Sequence, residues 1–390
     1  MKRIEFWVLS ALLLATLPAF SAEKKNPTTS VHDLKETFVK LQEAHKSDEE
    51  VAAALKQITL GEQLDLATMT SLGELHPGPL STEQIYILQG RSAFLSPPSD
   101  APAPSDPDLA TQKAILGKTA DYVAKTFSQS PRVTASKTIA RFQDGVADTH
   151  ASNSDGSKHM PGANGALFDP ANLSMRYLGP HTSSVENEHG VEKAVVEGTK
   201  TNWGANGEIS EGGAGPLLSV LLTEAAAANK LNFTRWEPID GKQIAVFAFA
   251  VDKKKGRYTV EYCCFPAANT QGSFSNRMAN PTNGLVTNWE PFKTAAGYHG
   301  ELFVDPDTGV VVRLNTHADL KPSDFVHQED TRIDYGPVTL DGKTWFLPTA
   351  GFSFTEVVPY GDNYTHRVSV RHTLFNILYK DYELADAAAK

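Results

Sequence analysis

The chain is short of everything that would staple it or anchor it in a bilayer. Only two cysteines occur in 390 residues, and they are adjacent, Cys263 and Cys264. A disulfide scaffold needs several well-spaced pairs, so that class is excluded. Neighbours on a strand point to opposite faces. Two states stay open for this pair: free thiols, one packed as a small hydrophobe, or a strained vicinal disulfide. A basic excess is also missing. The formal net charge is -10, which disfavours binding along a phosphate backbone. Past residue 17 no run is apolar enough to span a membrane, which takes about 20 residues. GxSxG, HExxH and Cys-His nucleophile patterns are absent.

What is present begins with an export signal. Lys2 and Arg3 precede an apolar run from Phe6 to Leu17, Pro18 ends it, and Ala19, Ser21 and Ala22 are small. This pattern predicts a signal peptide over residues 1–22, cleaved near Ser21 or Ala22, and a periplasmic or secreted product. No cysteine follows for lipid attachment. The 41% hydrophobic content suffices for a packed core.

Residues 23–95 read as a helical region. Val31, Leu34, Phe38 and Leu41 recur at helical spacing behind Ser30, a suitable N-cap. Ser47 with Glu50 three residues on predicts a capping box. Two more helices, over 64–75 and 81–94, are separated by Pro77-Gly78-Pro79. The Pro-rich stretch 96–107 reads as an extended linker. A helix over 109–127 follows, then a strand over 133–142, a polar loop over 144–170 and strands over 173–178 and 191–203. A Gly-rich loop, 204–215, leads into a helix reaching about Asn229. It lacks the Lys-Ser/Thr pair of a P-loop and carries Glu208 and Glu211, so it reads as a connection and not as a phosphate cradle.

From Asn232 onward, hairpins dominate. Strands over 233–237, 243–251 and 257–265 are expected to be joined at Asp240-Gly241 and at 253–256. The stretch from Tyr298 to Pro348 predicts four strands and three turns, among them Asp305-Pro306-Asp307-Thr308-Gly309 and Asp341-Gly342. Gly336-Pro337 is expected to bend its strand. Strands over 352–358 and 364–379 complete the pattern. The whole predicts an α+β protein. An N-terminal helical segment precedes a curved, mostly antiparallel meander over 108–390, with helices packed on one face.

Acid–base chemistry needs paired carboxylates or an oriented histidine. Candidate pairs are Asp305 with Asp307, Glu329 with Asp330, and His317 with Asp319; His366 and His372 lie too far apart along one strand to share a metal. His150, His159, His181 and His189 with Asp155 match no metal-ligand spacing. No catalytic, cofactor or metal residue is therefore assigned.

At YHGELFVDPDTGVVVRLNTHAD, followed by IDYGPVTLDGKTWFLP, the chain resembles a group of secreted bacterial proteins of uncharacterised function, over residues 31–348. The strand, Asp-Pro-x-Thr-Gly turn and Arg-bearing return strand are similar to the unclosed sheets of LolA-type lipoprotein carriers and RseB-type regulators. That resemblance implies a curved sheet holding acyl chains against helices. The long stretches 144–170 and 266–291 depart from the pattern, and no site residues carry over. The expected function is non-enzymatic: binding of a lipid, another hydrophobic ligand or an envelope partner, without nucleic acid and without spanning the membrane. Leu217, Leu218, Leu221, Phe247, Phe249 and Trp289 are the expected apolar lining. A secreted hydrolase with its site under residues 266–291, or a docking protein using the N-terminal helices, are the alternatives.

Overall fold

A computed structural model describes residues 28–98, 104–125, 127–144, 175–188, 191–194, 208–209, 218–256, 258–266, 289–321, 324, 326–357 and 371–385. Four helices come first: α1 (Val31–Glu43), α2 (Asp48–Lys56), α3 (Leu66–Gly73) and α4 (Pro79–Ser92). Their starts follow from capping chemistry. The Ser30 hydroxyl accepts from Asp33 N, Ser47 and Glu50 form the full capping box, Asp65 accepts from Thr68 N, and Pro79 opens α4 behind Gly78. The inward stripes, including Leu34, Phe38, Val51, Leu55, Leu72 and Ile85, make a core of their own. Each such side chain contributes about 1.5–3 kcal/mol when buried, which short helices need to persist. Helices α5 (Leu109–Lys125), α6 (Leu218–Ala227) and the single turn α7 (Lys253–Gly256) follow along the chain.

The strands are β1 (Val133–Asp144), β2 (Met175–Glu188), β3 (Val191–Ala194), β4 (Glu208–Ile209), β5 (Leu231–Ile239), β6 (Lys242–Val251), β7 (Tyr258–Pro266), β8 (Trp289–Val304), β9 (Val311–Asp319), β10 (Val326–Leu340), β11 (Lys343–Val357) and β12 (Arg371–Leu384). The sheet runs β3-β2-β1-β12-β11-β10-β9-β8-β6-β5 and does not close among the described residues, and every described strand pairing within it is antiparallel. Asp240-Gly241 and Asp341-Gly342 both hold positive φ at both residues, the conformation that tight hairpin turns require. At Asp305–Gly309 the Asp305 carboxylate accepts from Asp307 N and Thr308 N at 2.9 and 3.2 Å. Gly309 has φ +76, and a Cβ there would lie 2.4 Å from the Lys118 carbonyl carbon, so this turn seats α5.

The strands differ from the expected ones in length. Gly336-Pro337 does not end β10; Pro337 pairs with Phe346, and a register shift at Asp334/Tyr335 absorbs the irregularity. The last of the four strands expected before Pro348 and the strand expected over 352–358 are one strand, β11. Residues 253–256 form a helical turn, and β6 and β7 are not hairpin partners. Instead β8 is long enough to pair with β7 through its first half and β6 through its second. That choice rests on a long-range pairing, which local turn chemistry does not encode.

Strand alternation gives the sheet two faces. The first, covered by α5 and α6, carries Phe247, Phe249, Leu302, Leu314, Ile333, Phe375 and Ile377 in the main core with Ile115, Val123, Leu218 and Leu221. The second meets the helical array. Ile87 packs on Leu374 and Phe142, Gly90 lies so close to Leu374 that no Cβ fits, and Arg332 Nη1 donates to the Ala93 carbonyl at 2.7 Å.

Candidate functional site

The helical array and the second face do not meet over their whole area. Between them lies a cleft of about 770 Å3. Leu64, Met69, Tyr86 and Pro97 line it from the helical side, and Ile239, Ile244, Val312, Phe346, Phe352 and Leu378 from the sheet. Tyr86 is 42% and Leu378 44% exposed, so large apolar groups face solvent at this opening. A smaller cleft of about 410 Å3, lined by Pro104, Trp236 and Gln243, adjoins it and shares Lys242 and Asp305. Those two side chains are an ion pair at 3.0 Å.

Arg313, Arg332 and Asp334 form the polar floor of the larger cleft and belong to a chain of alternating charges on β5, β8, β9 and β10. Glu301 pairs with Arg235, and Arg235 bonds Glu237 at 2.7 Å. Glu237 accepts from Arg313 at 3.4 Å, Arg313 bonds Asp334 at 2.6 Å, and Asp334 accepts from Arg332 at 3.0 Å. Three guanidinium groups thus face three carboxylates. Burial raises the Asp334 carboxyl, but Arg332 and Arg313 outweigh it and hold it below its ordinary value. Burial pushes Arg332 down to about 10, against the pull of Asp334. Glu237 stays above its ordinary value, because burial there outweighs Arg235 and Arg313. Arg332 also lies over the Phe352 ring, 5.5 Å from its centroid.

Beside the cleft, the second face carries histidines. His317 Nδ1 lies 2.7 Å from Asp330 and His299 Nδ1 2.7 Å from Asp319. The two imidazoles stack across β8 and β9 with centroids 5.3 Å apart, and Phe94 of the helical array packs on His317 at 5.8 Å. The expected pairing of His317 with Asp319 is thus replaced. Asp330 lies directly across from His317 in the β9–β10 register, whereas Asp319 is two residues along the same strand. Glu329 and Asp330 point to opposite faces, and Asp305 is occupied by its own turn and Lys242. His372 lies 3.2 Å from Glu356, and His366 lies outside the described residues. Among the described residues, no group of three or more His, Cys, Asp or Glu is placed to hold a metal ion. His181 is exposed on β2, and His150, His159, His189 and Asp155 fall outside the described residues.

Of the expected apolar lining, Leu218, Leu221, Phe247 and Phe249 lie together in the main core at 3% exposure or less. None of them lines either cleft. Leu217 lies outside the described residues, as does the side chain of Trp289, whose backbone opens β8. The cleft residues were missed because apolar groups on the two faces of β6 look alike in sequence. Phe247 and Ile244 differ only in which face alternation assigns them. The one signal was the three guanidinium positions Arg235, Arg313 and Arg332 inside otherwise apolar strands.

No family model, curated protein or solved structure matches the chain. No described helix is long and apolar enough to cross a membrane.

Proposed function

We propose that the protein is a non-enzymatic envelope protein, exported by its N-terminal signal, that holds a hydrophobic or amphiphilic small molecule between its helical array and its sheet. One observation carries this reading: an opening of about 770 Å3 whose walls are mainly apolar and whose floor charges are paired among themselves. Ligand pockets typically have volumes of about 300–1,000 Å3, apolar walls and a few fixed polar groups. A helical array serving only as a packed cap would have filled this space. The floor charges already have partners within their chain, which favours a ligand without net charge.

Native mass spectrometry of the mature protein from an envelope fraction, before and after organic extraction, tests this. A stoichiometric lipid-like adduct that extraction removes is expected. Leu378→Arg puts a charge on the cleft wall at an exposed position and is expected to cut adduct occupancy at least tenfold with the far-UV spectrum unchanged. A bare monomer would overturn a constitutively loaded carrier.

A further inference from the structure

The smaller cleft differs in character from the larger one it adjoins. Three stretches far apart in the chain build it: Pro104, the β5–β6 hairpin with Trp236, Lys242 and Gln243, and the turn after β8 with Asp305 and Asp307. Trp236 is held in place there. Its indole Nε1 donates to the Ser105 carbonyl at 3.1 Å, and Phe233 packs on the ring in a T-shaped contact, centroids 5.4 Å apart. With its donor used, the indole offers the cleft only ring surface.

The charges around it are only partly paired. Lys242 and Asp305 neutralise each other at 3.0 Å, and Asp305 also accepts from Asp307 N and Thr308 N. The Lys242 side chain is 69% exposed, so its ammonium keeps donors beyond the one that Asp305 takes. Asp307 is exposed, and its carboxylate has no hydrogen-bond or ion-pair partner among the described residues.

We infer that the smaller cleft receives the polar end of the ligand and that this end is zwitterionic, an ammonium group against Trp236 and Asp307 with an anionic group beside Lys242. This rests on the reading of the larger cleft as the seat of the ligand's apolar body. The two clefts share Lys242 and Asp305, so one amphiphile can occupy both. An ammonium is attracted to the face of an aromatic ring, and a carboxylate at the same cleft adds a charge-assisted bond. The anionic half follows from the floor of the larger cleft, whose paired charges favour a ligand without net charge. An uncharged head would leave Asp307 without a partner, and a purely anionic one would be repelled by it. The volume, about 410 Å3, is within the range of small-molecule pockets and gives such a head room.

The test uses the full mature chain and three probes. N-phenyl-1-naphthylamine, a neutral apolar dye, reports occupancy of the larger cleft by its fluorescence. Dodecylphosphocholine and dodecyl maltoside carry the same alkyl chain with a zwitterionic and an uncharged head, and each competes with the dye below its micelle-forming concentration. Dodecylphosphocholine is expected to displace the dye at a concentration at least fivefold lower than the maltoside. Asp307→Lys is expected to abolish that preference while dye binding and maltoside competition stay unchanged, and Trp236→Leu to weaken dodecylphosphocholine in the same direction. Asp307 is an exposed turn residue, so its variant reads the head contact whether or not Trp236→Leu folds. Leu378→Arg is expected to weaken all three probes. Equal competition by the two detergents, or a preference that survives Asp307→Lys, overturns the headgroup inference and leaves the larger cleft's reading standing. A wild type that binds no dye overturns both.

Discussion

Asp334 holds two guanidinium groups that the fold takes out of water. Its carboxylate accepts from Arg332 at 3.0 and 3.2 Å, and Arg332 also donates to the Ala93 carbonyl at 2.7 Å. Removing one member of a buried ion pair costs about 3–5 kcal/mol, because the other is left without compensation. Asp334→Asn is therefore expected to lower unfolding free energy by about 3–5 kcal/mol in urea titration, while a change at an exposed position such as Lys113→Gln moves it by under about 0.5 kcal/mol. His317 gives a pH dependence of the opposite kind to a carboxylate's. The hydrogen bond to Asp330 raises its pKa above 6.5, with burial opposing and Glu301 and Asp319 assisting. His299 and Phe94 also face it. A raised pKa contributes stability that is full below about 6.5 and lost as pH rises through the folded value. His317 is partly exposed, so the contribution is under about 1 kcal/mol. Wild type is expected to lose more stability than His317→Gln between pH 5.5 and pH 8.5; equal losses would assign the effect elsewhere.

At the scale of elements, one carboxylate ties two helices together. Asp48 is the first residue of α2, yet its oxygens accept from Leu80 N at 2.8 Å and Ser81 N at 3.0 Å, at the start of α4, and from the Ser81 hydroxyl. It supplies across space the cap that Gly78 cannot, and a Cβ at Gly78 would collide with it. Losing an N-cap costs about 1 kcal/mol. Asp48→Ala is expected to cost about that much and to speed amide exchange in the first turn of α4 at least fivefold, with the sheet unchanged. Exchange that accelerates equally in β10 and β11 would contradict this local role. The Ser30 and Ser47 caps, the Pro break before α4 and the Asp-Gly turns were all legible in sequence, because each is settled within about four residues. The Asp48 bond was not, since its partners lie 32 and 33 residues away.

For the molecule as a whole, the amino-acid pattern determined the class, a helical array followed by an antiparallel meander, and the turns that join β8 to β9 and β10 to β11. Those features depend on neighbours in the chain. Three things were decided only by tertiary structure. The pairing of β1 with β12 brings Val133 to Leu384, and the long β8 displaces the expected β6–β7 hairpin. The helical array docks on the face opposite α5 and α6. The candidate site follows from that docking: Tyr86 and Leu378 belong to no common motif and line one cleft only because α4 rests on β12. Strand alternation fixes that two faces exist, and hydrophobicity fixes that both need covering. Which helices cover which face depends on shape, at contacts as specific as Gly90 against Leu374, and a one-dimensional pattern does not contain it.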